Sequence, residues 1–430
     1  MARGARRGER LMRRADTPAE AAFREQARRW LAAHAEPRRP SGNWSDGPQP
    51  HTPENERAYF ERCRAWQRTL FDGGYAGITW PRRFGGRGGT PGEALIFGQE
   101  QARFDVTSGF LPASIALLGP ALMRHGDDAQ RERYLRPLLR GDEVWCQLFS
   151  EPDAGSDLAA LRTRAERDGD GFAVNGQKLW TTSAQFSDRG FLLARTNFDA
   201  PKHVGISFLL VDMRAPGIEV RPLVTAKGDR HFNEVFFTNL RVRLEDVVGG
   251  IDRGWEVAKT TLANESVMIG TGRQRLGSVA SLLREAQRSG RFADAALRQQ
   301  LGAALVEERV LGFLQDRMQE AVLEGQRPDL DGSVLKVLWA ESRARKAEIA
   351  IALQGAAGLL EGEDAPQGGF WQEQWLDRPM GTIGGGTLEV HRNGIGERAL
   401  GLPREPRPDR DVPFRELRAP SGAPGRDGGD

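Results

Sequence analysis

The 430-residue chain has little cysteine, no long apolar run, no internal repeat and almost no net charge. Two cysteines, Cys63 and Cys146, cannot staple a chain of this size, and no secretory apolar segment is evident, so reduced thiols in a cytoplasmic setting are expected. Cys146 reads as a buried apolar thiol and not as a redox centre. No stretch approaches the roughly 20 apolar residues that span a bilayer, so no membrane residence is expected. Lys and Arg number 61 against 59 Asp and Glu, a formal charge of +2, which removes the electrostatic case for nucleic acid or an anionic membrane surface as main partner. Arginine dominates among the bases throughout, so the Arg-rich start, Met1 to Arg14, reads as a disordered beginning (residues 1–17) and not as a transit peptide. No metal site is expected.

What the chain does have is a change of texture. Apolar residues recur at helical spacing from Pro18 to Ala35 (Ala22, Phe23, Ala27, Trp30, Leu31), then in Glu54 to Gly73, Thr90 to Phe104 and Ile115 to Gly141. Between Val144 and Gly249 the pattern shifts to short β-rich runs punctuated by Gly, Pro, Asn and Asp: Phe172 to Val174, Gly190 to Arg195, Gly205 to Val211, Ile218 to Pro222 and Val235 to Leu240. Helical periodicity returns from Trp255 to Arg288, Ala295 to Glu324 and Leu330 to Gly358. The fold class is therefore mainly α with a central β domain, read as a compact antiparallel unit. The expected organisation is an N-terminal helical domain at 18–143, a β domain at 144–250, a helical domain at 251–402 and a disordered tail at 403–430.

Two motifs stand out. Ser150-Glu151-Pro152-Asp153-Ala154-Gly155-Ser156-Asp157 is turn chemistry: Pro152 fixes φ, Gly155 permits positive φ, and the flanking hydroxyls and carboxylates can bond nearby backbone. Asn175-Gly176-Gln177-Lys178-Leu179-Trp180-Thr181-Thr182 reads as a hairpin turn at Asn175-Gly176 leading into a strand with a ring and two hydroxyls. A loop of fixed donors beside such a strand suits a flat heteroaromatic cofactor. Spacing alone serves equally well for plain loop, strand and core residues.

Both segments resemble the signature regions of the acyl-CoA dehydrogenase family, with Ser150 for the usual Thr, Thr181 for Ile and Ser183 for Asn. The Gly77 to Gly89 stretch is similar to that family's Gly-x-x-Trp-Pro-x-x-x-Gly-Gly element, and the resemblance runs over about residues 18 to 402. It implies an N-terminal helical domain, a middle β-barrel or sandwich and a C-terminal four-helix bundle, with FAD as cofactor. By that resemblance Phe149 and Ser150 lie against the flavin on one side, Trp180 and Thr182 on the other, and Ser156 faces the acyl thioester or pantetheine. Gln354 and Gly358 match a Gln-x-x-Gly-Gly element that meets the adenine side of FAD from a neighbouring subunit. Thr387 and Glu389 match positions near its pyrophosphate and ribose. The family's Arg-x-x-Phe-Gly cofactor segment has no good counterpart, Arg288 and Phe292 being out of pattern.

The chemistry that the resemblance implies needs a carboxylate to take the proton α to a thioester carbonyl. Many relatives carry it in a C-terminal Glu-Gly-Thr motif. Here that stretch is Ile383-Gly384-Gly385-Gly386-Thr387, with glycine at the usual acid. A second family solution places the base on the long helix that opens the C-terminal domain, where Glu265 is the match, though Ser266 replaces the Arg that usually follows. Trp255, Leu262, Ile269 and Leu276 recur every seventh residue with Ala258 between, and Glu265 is expected on that apolar face, where desolvation raises a carboxyl pKa. A backbone N–H near Gly386 is implied as a donor to the thioester oxygen. The implied activity is FAD-dependent formation of a 2,3-enoyl-CoA from an acyl-CoA, with an electron-transferring flavoprotein as acceptor and a homotetramer or heterotetramer as assembly. Two alternatives remain open: a non-catalytic partner subunit of a heteromeric dehydrogenase, and a flavin oxidase or oxygenase on the same fold.

Overall fold

The computed structural model describes residues 15–38, 56–271, 278–326 and 332–417, without the side chains of 264–271 and 363. Several of its helices begin where the sequence supplies caps. Thr17 and Glu20 exchange side chain and backbone hydrogen bonds at the start of Pro18–His34, Thr90 and Glu93 do so at Pro91–Gln101, and each helix has proline in its first turn. The Asp16 carboxylate pairs with Arg24 at 2.6 Å, so residues 15–17 belong to the folded helix start and only 1–14 lie outside the described residues. The continuous helical run expected over Ile115 to Gly141 is two helices, Leu111–His125 and Asp128–Arg140. Periodicity persists through the break because Asp127 and Gln130 form a reciprocal cap there, which starts a new helix without changing the apolar spacing.

Contacts divide the chain into two compact units. One takes in the described residues up to 109, 226–229 and 265–402. Phe23, Ala27, Leu31, Trp66, Tyr75 and Ile96 fill the core of its N-terminal helices. A second core gathers Leu282, Leu301, Ala347, Leu353 and Trp371 from the helices Val279–Arg288, Ala295–Leu323, Gly332–Gln354 and Phe370–Leu376.

The other unit holds residues 110–225, 230–264 and the described part of 403–430. At its centre is a sheet of β1 (Trp145–Leu148), β2 (Arg164–Asp168), β3 (Gly171–Thr182), β4 (Arg189–Arg195), β5 (Ile206–Asp212), β6 (Ile218–Leu223), β7 (Phe232–Arg243) and β8 (Val247–Val248). The order is β6-β7-β3-β2-β4-β5-β8, with β1 also against β4. Two of the pairings, β1 with β4 and β2 with β4, are parallel, so the sheet is mixed and not purely antiparallel as expected. The short polar β2 and the buried β1 lack the alternation that marks a half-buried strand, which hid them in the sequence. Leu148, Val174, Leu192, Leu209, Val235 and Leu240 pack the sheet's core together with Cys146. Cys63 and Cys146 are both buried and free, and burial pushes the Cys146 thiol up to about 12. The helix Asp128–Arg140 is tied to the β8 end, where Gln130 donates to the Val247 carbonyl at 3.1 Å and Tyr134 to the Asp246 carboxylate at 2.9 Å.

The stretch expected as a disordered tail is ordered as far as Leu417, and 418–430 lie outside the described residues. Residues 403–417 lie on the sheet unit. Pro413 forms a β-bridge with Pro201, and the Phe414 and Arg415 N–H groups donate to the Ala200 and Phe198 carbonyls at 2.9 and 3.0 Å. The Phe414 ring is buried 3.6 Å from the Arg195 guanidinium carbon. Arg195 is itself buried, donates to the Ala159, Leu161 and Lys202 carbonyls, and is pushed down to about 10 by burial. Composition missed this because the docking is concentrated in one ring within an otherwise polar segment. Phe414→Ala, which removes about 3 kcal/mol of local packing, is expected to expose the bonds between 403 and 417 to limited proteolysis while the sheet unit stays intact. Cleavage no faster than in the wild type would show that the ring does not hold the segment.

Candidate cofactor and substrate sites

The two signature motifs meet through one buried ion pair. Lys178, on the inward face of β3, is fully buried, and its ammonium donates to Glu151 Oε1 at 2.7 Å and to the Phe149 carbonyl at 2.9 Å. The Glu151 carboxylate also accepts the Arg162 and Thr163 N–H groups at 2.6 and 2.9 Å. Burial alone drives the Glu151 carboxyl up, but the Lys178 ammonium and these donors outweigh it and hold the carboxyl below its ordinary value. Burial in turn depresses Lys178, with Glu151 opposing it. The Ser150 carbonyl accepts from the Leu179 N–H at 2.9 Å, which pins the loop alongside β3. The Glu151–Lys178 clamp was not anticipated from sequence, although both residues sit inside the quoted motifs.

Asn175-Gly176 is not a hairpin turn. It is a register shift inside β3, and the chain reverses instead between Asp168 and Gly171. Gly176 is required there because a Cβ would lie 2.5 Å from Thr163 Oγ1. A second irregularity between Lys178 and Thr181 puts Trp180 at φ +60°. This conformation is costly for a bulky residue and turns its ring outward, 57% exposed and edge-on to Phe232 at 5.7 Å. Asn233 on β7 holds the bulge, donating from Nδ2 to the Thr181 carbonyl at 3.0 Å. Thr182 is exposed, Ser150 is half-buried, and the buried Thr181 hydroxyl has no hydrogen-bond partner among the described residues. The Phe149 ring is buried edge-on against Phe191 and Phe208, at 5.7 and 6.0 Å, and supports the loop from within the core. An exposed ring held in a strained conformation beside exposed and half-buried hydroxyls fits a flat heteroaromatic group with polar edges.

Ser156 lines a cleft of about 1100 Å³ in the same unit. Lys202 and His203 of the β4–β5 loop, Trp255 at the start of the helix Gly254–Thr271, and Arg407 and Arg410 of the docked C-terminal segment also border it. Lys202 bridges Asp157 and Asp409 at 3.0 and 3.1 Å. The His203 ring meets Trp255 at 5.1 Å, and burial, followed by the Lys202 ammonium, holds it below its ordinary value. The cleft is large enough for an extended ligand, with aromatic and cationic walls.

Glu265 falls on the helix Gly254–Thr271, and its side chain lies outside the described residues. The buried stripe of that helix differs from the expected one. Val257, Ala258 and Thr261 are buried while Trp255 and Leu262 are only half-buried, and Ile269 and Leu276 lie where side chains are not described. Position 265 comes one turn after Thr261.

The remaining expected contacts lie in the helical unit. Gln354 ends the helix Gly332–Gln354 with its Oε1 accepting from Gln372 at 2.8 Å and its buried Nε2 without a partner among the described residues. Gly358 is buried where a Cβ would crowd the Ile351 carbonyl at 3.0 Å. Thr387 caps the helix Leu388–Gly394, and Glu389 in its first turn is exposed. Gly386 has φ +93°, and a Cβ there would meet His391 Nε2 at 3.0 Å.

Family models describe three consecutive parts of this chain: acyl-CoA dehydrogenase N-terminal domain at residues 17–142, middle domain at 146–240 and C-terminal domain at 252–400. The Mycobacterium tuberculosis acyl-CoA dehydrogenase IpdE1 is 37% identical over 389 residues, covering 89% of this chain and 98% of that protein. The chain belongs to the acyl-CoA dehydrogenase family. It is an oxidoreductase of that type, and the family's members are FAD flavoproteins. Another M. tuberculosis relative, acyl-CoA dehydrogenase FadE34, is 39% identical over 343 residues, 79% of this chain and 46% of that protein. Among solved structures, the Tcur3481-Tcur3483 steroid ACAD superposes with TM-score 0.73 at 28% identity, over 91% of this chain and 99% of that one. The ChsE4-ChsE5 complex from M. tuberculosis gives 0.72 at 29% identity, over 92% and 100%. As expected for the acyl-CoA dehydrogenase fold, the architecture is helical with a central β domain. No helix among the described residues is long and apolar enough to cross a membrane.

Proposed function

We propose that this acyl-CoA dehydrogenase binds FAD and converts the CoA thioester of a bulky, ring-bearing acid to its 2,3-enoyl-CoA. The observation that carries the cofactor reading is the outward Trp180 ring at the β3 bulge, beside Thr182 and the Ser150 loop. The substrate class is supported by the similarity to the Tcur3481-Tcur3483 steroid ACAD. Bound FAD supplies the acceptor for the β hydride. Ser150 and Thr182 hydrogen-bond its ring edges, and Trp180 covers it. Gln354 and Gly358 of a neighbouring subunit meet its adenine side, and Thr387 and Glu389 its pyrophosphate and ribose. Ser156 holds the pantetheine arm, the Gly386 N–H polarises the thioester oxygen, and Glu265 takes the α proton. A cytoplasmic electron-transferring flavoprotein takes the electrons onward.

The test is anaerobic titration of the purified yellow protein with a panel of straight-chain, branched and steroid-side-chain acyl-CoAs. Bleaching by the ring-bearing thioesters at rates well above those of straight-chain ones is the expected result. Bleaching by straight-chain thioesters alone would remove the substrate class.

A second reading has its own support. Glycine at 385 and the two-component names of the solved neighbours favour assembly with a related chain. If this chain were the non-catalytic member, it would purify colourless alone and gain flavin only when co-expressed with that partner.

A further inference from the structure

The loop Gly384-Gly385-Gly386 in the helical unit is held at two successive carbonyls. Lys336, buried on the helix Gly332–Gln354, donates from Nζ to the Gly384 carbonyl at 2.8 Å and to the Gly381 carbonyl at 2.9 Å, with its ammonium 5.2 Å from the Trp339 ring. His391, buried on the helix Leu388–Gly394, donates from Nε2 to the Gly385 carbonyl at 2.9 Å. In a planar trans peptide the C=O and the following N–H point in opposite directions. Fixing the Gly384 carbonyl on Lys336 therefore aims the Gly385 N–H the other way, and fixing the Gly385 carbonyl on His391 does the same for the Gly386 N–H. Neither N–H donates to an acceptor among the described residues. Gly385 and Gly386 have φ +69° and +93°, a local fold that L side chains rarely adopt.

Two free amides on adjacent peptides, each braced through its own carbonyl, form a preorganised donor pair. A cation on a carbonyl also polarises that peptide and strengthens its N–H as a donor. From this geometry we propose that Lys336 and His391 are positioning residues for the reaction, setting the Gly385 and Gly386 amides as the donors that polarise the substrate's thioester carbonyl. The inference rests on the dehydrogenase reading above. It adds that the electrostatic drive for α-proton removal is set by a buried lysine and a buried histidine that need not touch substrate. The plainer role for Lys336, capping the last carbonyls of the helix Arg378–Ile383, would affect stability but not carbonyl polarisation.

The experiment uses the FAD-loaded enzyme and compares wild type with Lys336→Met, Lys336→Arg, His391→Ala and His391→Gln. Removal of a single oxyanion donor typically costs about 100-fold to 1000-fold in rate, and loosening one should cost less. Lys336→Met and His391→Ala are expected to slow substrate-driven bleaching about tenfold to a hundredfold with substrate Kd changed less than about threefold. Lys336→Arg and His391→Gln, which keep a donor, should recover most of the rate. Isotope-edited infrared spectra of a bound ¹³C-carbonyl enoyl-CoA product should show a lowered C=O stretch in wild type that moves back towards its free value in Lys336→Met. Wild-type bleaching with unchanged rate and carbonyl frequency in both Lys336→Met and His391→Ala would overturn the inference alone. Absence of bleaching in the wild type would remove the dehydrogenase reading and this inference with it.

Discussion

Glu265→Gln is expected to leave a folded, yellow protein that binds acyl-CoA but is bleached by it at least about a thousandfold more slowly, near the upper range for loss of a general base. The amide is nearly isosteric and cannot accept the α proton. The expectation follows from what the C-terminal loop lacks: Gly385 carries no side chain, so the proposed reaction takes its base from position 265. Position 265 lies on the helix Gly254–Thr271, one turn beyond the buried Thr261. Stopped-flow absorbance under anaerobic conditions reads the rate directly, and a substrate Kd measured on the same samples separates chemistry from binding. Bleaching at the wild-type rate would remove Glu265 as the base, whereas a loss confined to Kd would assign it to substrate binding. Reoxidation of the bleached wild type by O₂ separates dehydrogenase from oxidase, a dehydrogenase being expected to reoxidise slowly.

Lys178→Met is expected to be the most destabilising single change in the sheet unit, at roughly 3–5 kcal/mol, because it strands the Glu151 carboxylate in a buried site. The Arg162 and Thr163 N–H donors remain but do not replace a cation. The double variant Glu151→Gln/Lys178→Met should recover much of that loss, since neither partner is then left charged and alone. Urea unfolding at pH 7 measures all three. A loss in Lys178→Met below about 1 kcal/mol, the range of exposed pairs, would show that the pair is not the clamp that its burial implies. The pH dependence has a definite sign. The Glu151 carboxyl titrates lower in the folded chain than in the unfolded one. Its contribution is therefore complete above the ordinary glutamate value of about 4.3 and fades as pH falls through the lower folded value. The acid limb of stability should accordingly be flatter in Glu151→Gln than in the wild type.

The sequence by itself determined the helical, β, helical order of the chain and its resemblance to the family. Helical spacing in Phe23, Ala27 and Leu31 is a local property, and the structure keeps it. The signature motifs were legible because they are contiguous, so the loop at Ser150 and the strand carrying Trp180 could be singled out before any fold was known. Tertiary structure alone decided the features that depend on residues distant in sequence. The Asn175-Gly176 pair suits a turn or a bulge equally, and only pairing of β3 with β7 and the approach of Thr163 made it a bulge. The Phe149 ring could have faced a ligand or the core, and Phe191 and Phe208 took it inward. The tail at 403–417 reads as disordered by composition, yet Phe414 found the Arg195 guanidinium, more than two hundred residues away in sequence. Lys336 and His391 carry no motif, and what makes them notable is that a helix packed some fifty residues upstream brings an ammonium to the Gly384 carbonyl. Local propensity fixes which segments form. The sites depend on long-range contacts, which no window of sequence contains.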